Sequence, residues 1–426
     1  MTDLEDPLAE QPTPRQNGSL HVFRHRDFAL FFSAASISNG GSWMQLVAVQ
    51  ALMYKLTEKG AWLGVSTVAT LVPAVLITPY AGVLADRVSR RTILKITQLM
   101  QMIVASAMWV LYVNGSITPL WIVFLGFCNG ACTGFQTPAW QSFVPLLVPP
   151  EDMLHAVRLN SVQYTVARAI GPALGGLVVA ISGIGAAIFV NAVTFLLVIA
   201  VLLAVNPREN STTSRSQGVL NGLLEGAHYV WSRRQLRLAV VLAFSVSSLG
   251  QSIQYVGSAI SQRLFDHSAE GNAGLLSSFG VGSLLASSVM VKLGERVRRS
   301  RQVFCGFGLY TCALALLPLT HSYLVGMAAY FLGGCAHLTV AVSLNTLIQG
   351  SVPDVYRGRV VSFYLLGILG GIPVGTQVLG TVGDWIGFRP TLAIDALVFA
   401  GLAATLLASG WWRLLDETFG VETDEV

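Results

Sequence analysis

Charged and titratable side chains are scarce inside the long apolar runs of this chain, so the few found there are the first candidates for chemistry. Arg168 lies about eight residues into one such run, roughly 12 Å along a helix at about 1.5 Å per residue. A charge that deep in hydrocarbon costs at least about 2.5–3.5 kcal/mol, so it must face a cavity or a partner. At about 100° per residue, Ser161, Tyr164, Arg168, Gly171 and Gly175 share one helix face. Arg168 therefore reads in two ways: as the contact for an anion or other ligand, or as a structural bond to carbonyls or to an acid elsewhere. His337 also falls mid-run. Histidine is the side chain that titrates nearest neutral pH, so His337 is a candidate proton carrier, although a satisfied structural histidine is the first reading. Asp395 is the one acid well inside a run.

Other chemistries lack their residues. No Gly-Lys-Ser/Thr phosphate loop occurs, and no nucleophile–base pair or metal-ligand spacing stands out. The expectation is no enzyme, no cofactor and no metal. Cys128, Cys132, Cys305, Cys312 and Cys335 all lie in apolar runs without a Cys-x-x-Cys pair, and read as small buried hydrophobes.

The elements that hold these residues follow from composition. Of 426 residues, 53% are hydrophobic and 11% charged, against nearer a quarter charged in soluble domains. Apolar runs of about 20 residues recur, and that length of helix spans a hydrocarbon core. They are too long and too uniformly apolar for outer-membrane strands. Twelve spans are expected, near 28–54, 62–85, 92–113, 119–143, 160–182, 185–205, 237–259, 273–293, 302–320, 323–349, 360–383 and 389–410. The first twenty residues are polar and lack the pattern of a cleavable signal.

Basic residues test this topology. With both termini cytoplasmic, the outer segments hold only Lys55, Lys59, Arg263 and Arg389, and Arg168 is intramembrane; every other Lys and Arg falls inside. The basic loops are orientation signals and lipid contacts, not a nucleic-acid site. The expected order is a tail at 1–27, a six-span half at 28–205, a cytoplasmic linker at 206–236 with an amphipathic helix, a second half at 237–410, and a tail at 411–426. The halves repeat. Leu84-Ala85-Asp86-Arg87-Val88-Ser89-Arg90 corresponds to Leu293-Gly294-Glu295-Arg296-Val297-Arg298-Arg299, and Pro172 in a Gly-rich span corresponds to Pro373. The fold class is all-α membrane protein, with twelve transmembrane helices in two pseudo-symmetric six-helix bundles.

Gly82-Val83-Leu84-Ala85-Asp86-Arg87-Val88-Ser89-Arg90-Arg91 resembles the signature between helices 2 and 3 of the major facilitator superfamily, with Ser89 where that pattern usually has Gly. Gly171-Pro172-Ala173-Leu174-Gly175-Gly176 is similar to the antiporter motif of its exporters. Phe23-Arg24-His25-Arg26-Asp27-Phe28, Thr137-Pro138 to Pro149, and Val352-Pro353-Asp354 to Arg357-Gly358-Arg359-Val360 resemble the secretion-effector-like branch. Two departures stand out. Span 4 lacks a basic residue near its start, and Trp140 stands where the branch often has Arg.

The resemblance implies alternating access around a cavity lined by spans 1, 4, 7 and 10. It also implies a gate in which Asp86 faces the start of helix 11 near Arg357 and Arg359, with Arg87, Arg90 and Arg91 alongside and Gly82 allowing close approach. Gly171, Pro172, Gly175 and Gly176 would shape the moving span. The polar candidates for the cavity are Asn39, Gln45, Asn129, Gln136, Tyr164, Arg168, Gln251, Gln254, Tyr255, His337 and Asn345. Each Asn or Gln reads equally as a helix–helix hydrogen bond. A neutral polar wall with aromatics suits a lipophilic or amphiphilic molecule. The expected activity is proton-coupled export of such a molecule from a bacterial-type inner membrane by a monomer among lipids. Asp86, His337 and Asp395 are the coupling candidates. A dedicated siderophore or metabolite exporter, an importer or lipid flippase, and a non-transporting sensor or scaffold are the rivals.

Overall fold

The computed structural model describes residues 19–207, 219–293 and 296–416. Within them the chain is helical, with short 3-10 and π turns and no strands. The long helices are α1 (Arg26–Thr57), α2 (Gly60–Arg87), α3 (Arg90–Val113), α4 (Pro119–Phe143) and α5 (Met153–Ala204). After the linker helix α6 (Val219–Ser232) come α7 (Arg234–Ser245), α8 (Gly257–Phe265), α9 (Asn272–Leu293), α10 (Arg299–Leu319), α11 (Tyr323–Ser351), α12 (Asp354–Ile386) and α13 (Phe388–Ala408).

Among the described residues, nine helical segments are long and apolar enough to cross a membrane. One of them, containing α5, is interrupted at Gly183, whose φ of 83° is a backbone state that glycine enters without strain. Divided there it supplies spans five and six. With α1 and α4, of 32 and 25 residues, the twelve expected spans are present. The chain is a multi-pass membrane protein. Its outer faces show large apolar side chains, such as Trp385 at 85% and Ile181 at 74% exposure, as lipid-facing helices must.

Span seven departs from expectation. Instead of one α-helix over 237–259, α7 passes into a π turn at Val246–Gly250 and a 3-10 turn at Gln251–Gln254 before α8. Gly371 and Gly375 of α12 bring that backbone against Ser247 and Ser248, and Ser252 Oγ donates to Ser248 O at 2.6 Å. Turns of this kind inside helices frequently mark functional sites. The cysteines also differ from expectation: Cys305 and Cys312 are exposed on α10, and the other three are partly buried.

Within the first half α1 packs along α5 and α2 along α4; within the second, α9 and α10 pack on α11, and α10 on α13. The most extensive packing between the halves is of α2 with α12 and of α5 with α9. At the end carrying Gly60 the buried apolar side chains of both halves merge into one cluster, from Met44, Tyr54 and Leu63 to Phe265, Leu275 and Phe388. At the opposite end the first half has a separate core of Phe28, Phe31, Leu94, Phe143 and Leu202. Burial of apolar surface at about 25 cal/mol per Å² therefore binds the halves at the Gly60 end, while polar groups decide how that end closes.

Candidate functional site

The α2–α12 crossing is antiparallel and close. A Cβ on Gly64 would lie 2.7 Å from Gln377 Cα, and one on Gly60 would lie 3.1 Å from Gly380 Cα. The approach sets the first turn of α2 against the last turn of α12. There Asp384 accepts from the backbone N–H of Gly60 through Oδ1 and of Ala61 through Oδ2, both at 2.8 Å. Helix N-termini leave four N–H groups unbonded and carry partial positive charge, so a carboxylate is the fitting cap. Arg263 of α8 sits beside it. Its Nε donates to Tyr54 Oη at 2.8 Å, its Nη2 to Glu58 O at 2.7 Å, and Nη2 lies 3.9 Å from Asp384 Oδ1.

Two further bonds cross between the halves at this end. Lys55 pairs with Glu270, and buried Asn272 donates to Gln50 Oε1 at 2.6 Å. Burial pushes the Glu270 carboxyl up, but hydrogen bonding and the Lys55 charge outweigh it and hold it below the usual carboxylate range. Behind this layer Gly176 of α5 meets Ala273 of α9 without room for a Cβ.

Deeper, Arg168 reaches from α5 across the interface. Its Nη2 donates to Gln254 Oε1 at 3.2 Å in the 3-10 turn of span seven. The guanidinium carbon stands 5.5 Å from the Trp43 ring centre and 5.2 Å from that of Phe279, within cation–π range of both rings. Tyr164, 53% exposed, meets Trp43 edge-on at 6.4 Å. His337 of α11 is buried with its ring tilted against Phe279 at 5.8 Å. Several polar atoms here are buried without a partner, including Arg168 Nε, His337 Nδ1 and Gln251 Oε1. Buried polar atoms are paired in the great majority of cases, so unpaired ones call for an explanation.

The predicted residues divide. Tyr164, Arg168, Gln254 and His337 converge through Trp43 and Phe279, and Gln251 is buried on the same turn as Gln254. The backbone that carries Gln251 and Gln254 is the broken segment of span seven, not the continuous helix expected over 237–259. Tyr255 follows that turn and is partly buried. Gln45 instead accepts from Asn191 at 2.5 Å, which ties α1 to α5. Asn129 accepts from Gln101 of α3 at 3.4 Å, and Asn345 from Gln349 one turn on at 3.3 Å. Asn39 and Gln136 are half-buried, and Gln136 Oε1 has no partner. Asp395 is buried on α13, with Oδ2 unpartnered.

Among the gating candidates, Gly171 and Gly175 allow α1 to pack on α5, with Trp43 Cβ 2.6 Å and Met44 Cα 2.8 Å from where a Cβ would be, and Pro172 is buried between them. Among the described residues nothing would lie within 4 Å of a Cβ on Gly82, so they show no close approach there. Arg91 donates to the carbonyls of Leu202 at 2.6 Å and Leu203 at 2.8 Å, near the end of span six. Arg90 Nε is buried without a partner. Arg359 pairs with Glu225 of the linker helix. The side chains of Asp86, Arg87 and Arg357 lie outside the described residues. Sequence reading missed Trp43, Phe279, Arg263 and Asp384. It also missed His21, His25 and Asp152, whose ligand-type atoms come within 4.8 Å of one another, with His25 Nε2 bonded to Asp152 Oδ2 at 2.8 Å. That trio ties the start of α1 to the turn before α5.

Two helical halves meeting on a buried polar centre, with removable bonds at one end, define a membrane transporter of the major facilitator kind. The chain belongs to the transmembrane secretion effector family, whose model matches residues 17–415. It is similar to the staphyloferrin A transporter of Staphylococcus aureus, at 20% identity over 85% of this chain and 91% of that one. It is also similar to the multidrug efflux pump Tap of Mycobacterium tuberculosis, at 25% identity over 89% and 92%. In fold it resembles a solved bacterial homologue of the human lysosomal transporter Spinster, with a TM-score of 0.71 and 15% identity over 97% of this chain and all of that one.

Proposed function

We propose that the chain exports a lipophilic or amphiphilic small molecule by alternating access, driven by proton antiport. The observation that carries this reading is the seal between the halves. It consists of a helix cap, an ion pair and amide bonds, all of which can break and re-form without unfolding either half. The distribution of basic residues supports both termini in the cytoplasm and the Gly60 end outside, in a cell membrane. The conformation described is then closed outward, and Arg168 with its aromatic neighbours stands at the head of the path from inside. Asp86, His337 and Asp395 remain the coupling candidates.

The test is flux in proteoliposomes under an imposed pH gradient, against a panel of lipophilic drugs and siderophores. Substrate-dependent proton movement across several chemotypes is expected. Flux without proton movement would refute antiport. Movement of one siderophore alone would favour a dedicated exporter, the rival that the staphyloferrin A relative supports. No flux of any compound would return the chain to the sensor or scaffold class.

A further inference from the structure

We infer that the cargo carries an anionic group, a carboxylate or its equivalent, next to a flat apolar body, and that Arg168 receives it. This rests on the transport reading above and adds the chemical class of the substrate.

The guanidinium has five N–H donors in a planar fork and no acceptor. In this structure it makes one bond to a neutral amide oxygen, and the rest of its surroundings are ring faces. Among the described residues no carboxylate lies within 4.0 Å of it, since the salt bridges present all involve other cations. The titratable groups that face it and feel its charge are Tyr255, Tyr310 and His337. None of these is an acid that would balance a cation near neutral pH. Its Nε is buried with no acceptor at all. An arginine held mid-span without a counter-charge is costly. A structural arginine in a membrane protein ordinarily ends on carbonyls, as Arg91 does on Leu202 and Leu203. Arg168 does not.

Its neighbours narrow the ligand further. A carboxylate is the planar partner that fits the fork in a bidentate manner. Trp43 and Phe279 each present a ring beside the guanidinium, and an aromatic body stacks favourably on such rings. The unpartnered His337 Nδ1 and Gln251 Oε1 offer one further polar contact each. A lipophilic cation, by contrast, would meet Arg168 as a like charge.

The position also couples binding to gating. Arg168 belongs to the first half, and Gln254 and Phe279 to the second. An arriving carboxylate competes with Gln254 for the fork, and so removes a bond that now joins the halves beneath the outer seal. The anion is thereby recognised and the closed state loosened by one exchange of partners.

The experiment uses matched carboxylic acids and methyl esters in proteoliposomes, led by rhodamine 110 and its methyl ester rhodamine 123. Wild type is expected to move the acids at least tenfold faster than the esters. Arg168→Gln should shrink that gap to within twofold, with acid transport falling far more than ester transport, and Arg168→Lys should retain part of it. Size-exclusion profiles of the variants check that they fold. Esters moving as fast as acids, or equal loss of both in Arg168→Gln, would overturn the inference and leave the transport reading intact. Movement of no member of the panel would overturn the transport reading, and the inference with it.

Discussion

Replacing Asp384 with Asn removes a charge from the start of α2 and changes little else in size. The carboxylate makes two bonds of 2.8 Å, to the N–H groups of Gly60 and Ala61. Asparagine keeps one carbonyl oxygen for one of them and turns an N–H₂ group against the other. Hydrogen bonds to charged groups contribute about 1.5–3 kcal/mol each, and the favourable term with the helix end is lost as well. The side chain is 19% exposed, so water recovers part of the loss. A shift of about 2 kcal/mol toward the outward-open state is expected, or roughly thirtyfold in the ratio of the two states. The measurement is the distance distribution between spin labels at Ser116 and Ser322, exposed loop positions in the two halves, in a chain stripped of native cysteines. Asp384→Asn should move population from the short to the long distance and raise access from outside. An unchanged distribution would refute the claim that the cap holds the seal.

The same labels test the packing beneath the cap. Gly64→Val places its first carbon 2.7 Å from Gln377 Cα, and overpacking of this kind costs about 1–3 kcal/mol; a widened outer end is expected, and an unchanged one would show that the helices can adjust. For Glu270, the pH dependence has a definite sign. Its carboxyl is held low in the closed state, so its contribution to closure is present above the ordinary carboxylate range of about 4.3 and is lost as pH falls through the lowered value. Acidifying the Gly60 end below about pH 4 should open wild type, and Glu270→Gln should show a smaller transition, because the Asp384 cap remains; identical titrations would remove Glu270 from the seal. Asp86→Asn should lower transport at least tenfold with expression and thermal stability near wild type, and full flux would remove Asp86 from the gate.

The spans were legible because lipid demands about 20 apolar helical residues at each crossing, and basic residues mark one side. The glycine motif in span five was legible too, and the structure puts Gly171 and Gly175 at tight packing against α1. Contacts between the halves were not. Asp384 meets Gly60 across 324 residues, and nothing in the local sequence distinguishes a cap on a distant helix from a solvated charge at a span end. Gln251 and Gln254 were named from their place in span seven, but the π and 3-10 turns that carry them were not legible, because they depend on glycines of α12 that crowd Ser248. Gln45 and Asn129 carry the same side-chain chemistry as Gln254. Only packing shows that the first two bond within their own half, while Gln254 bonds across the interface.

The α2–α12 pair bears on the gate at the opposite end. The two helices run antiparallel, with Gly64 level with Gln377. Moving equally far along both toward the other end brings Asp86 level with Val355, in the first turn of α12. Each helix therefore carries a carboxylate near its C-terminal end, at the level where its partner begins. Asp384 occupies that position on α2 now. If the halves rock so that contact passes to the other end, Asp86 meets the start of α12 by the same geometry, and the cap on α2 is released. The two carboxylates then act as alternate latches of similar strength. Asp384→Asn and Asp86→Asn should shift the Ser116–Ser322 distances in opposite directions, and the double variant should lie near wild type in state ratio. Shifts of the same sign would refute the reciprocal arrangement even if both variants lost transport.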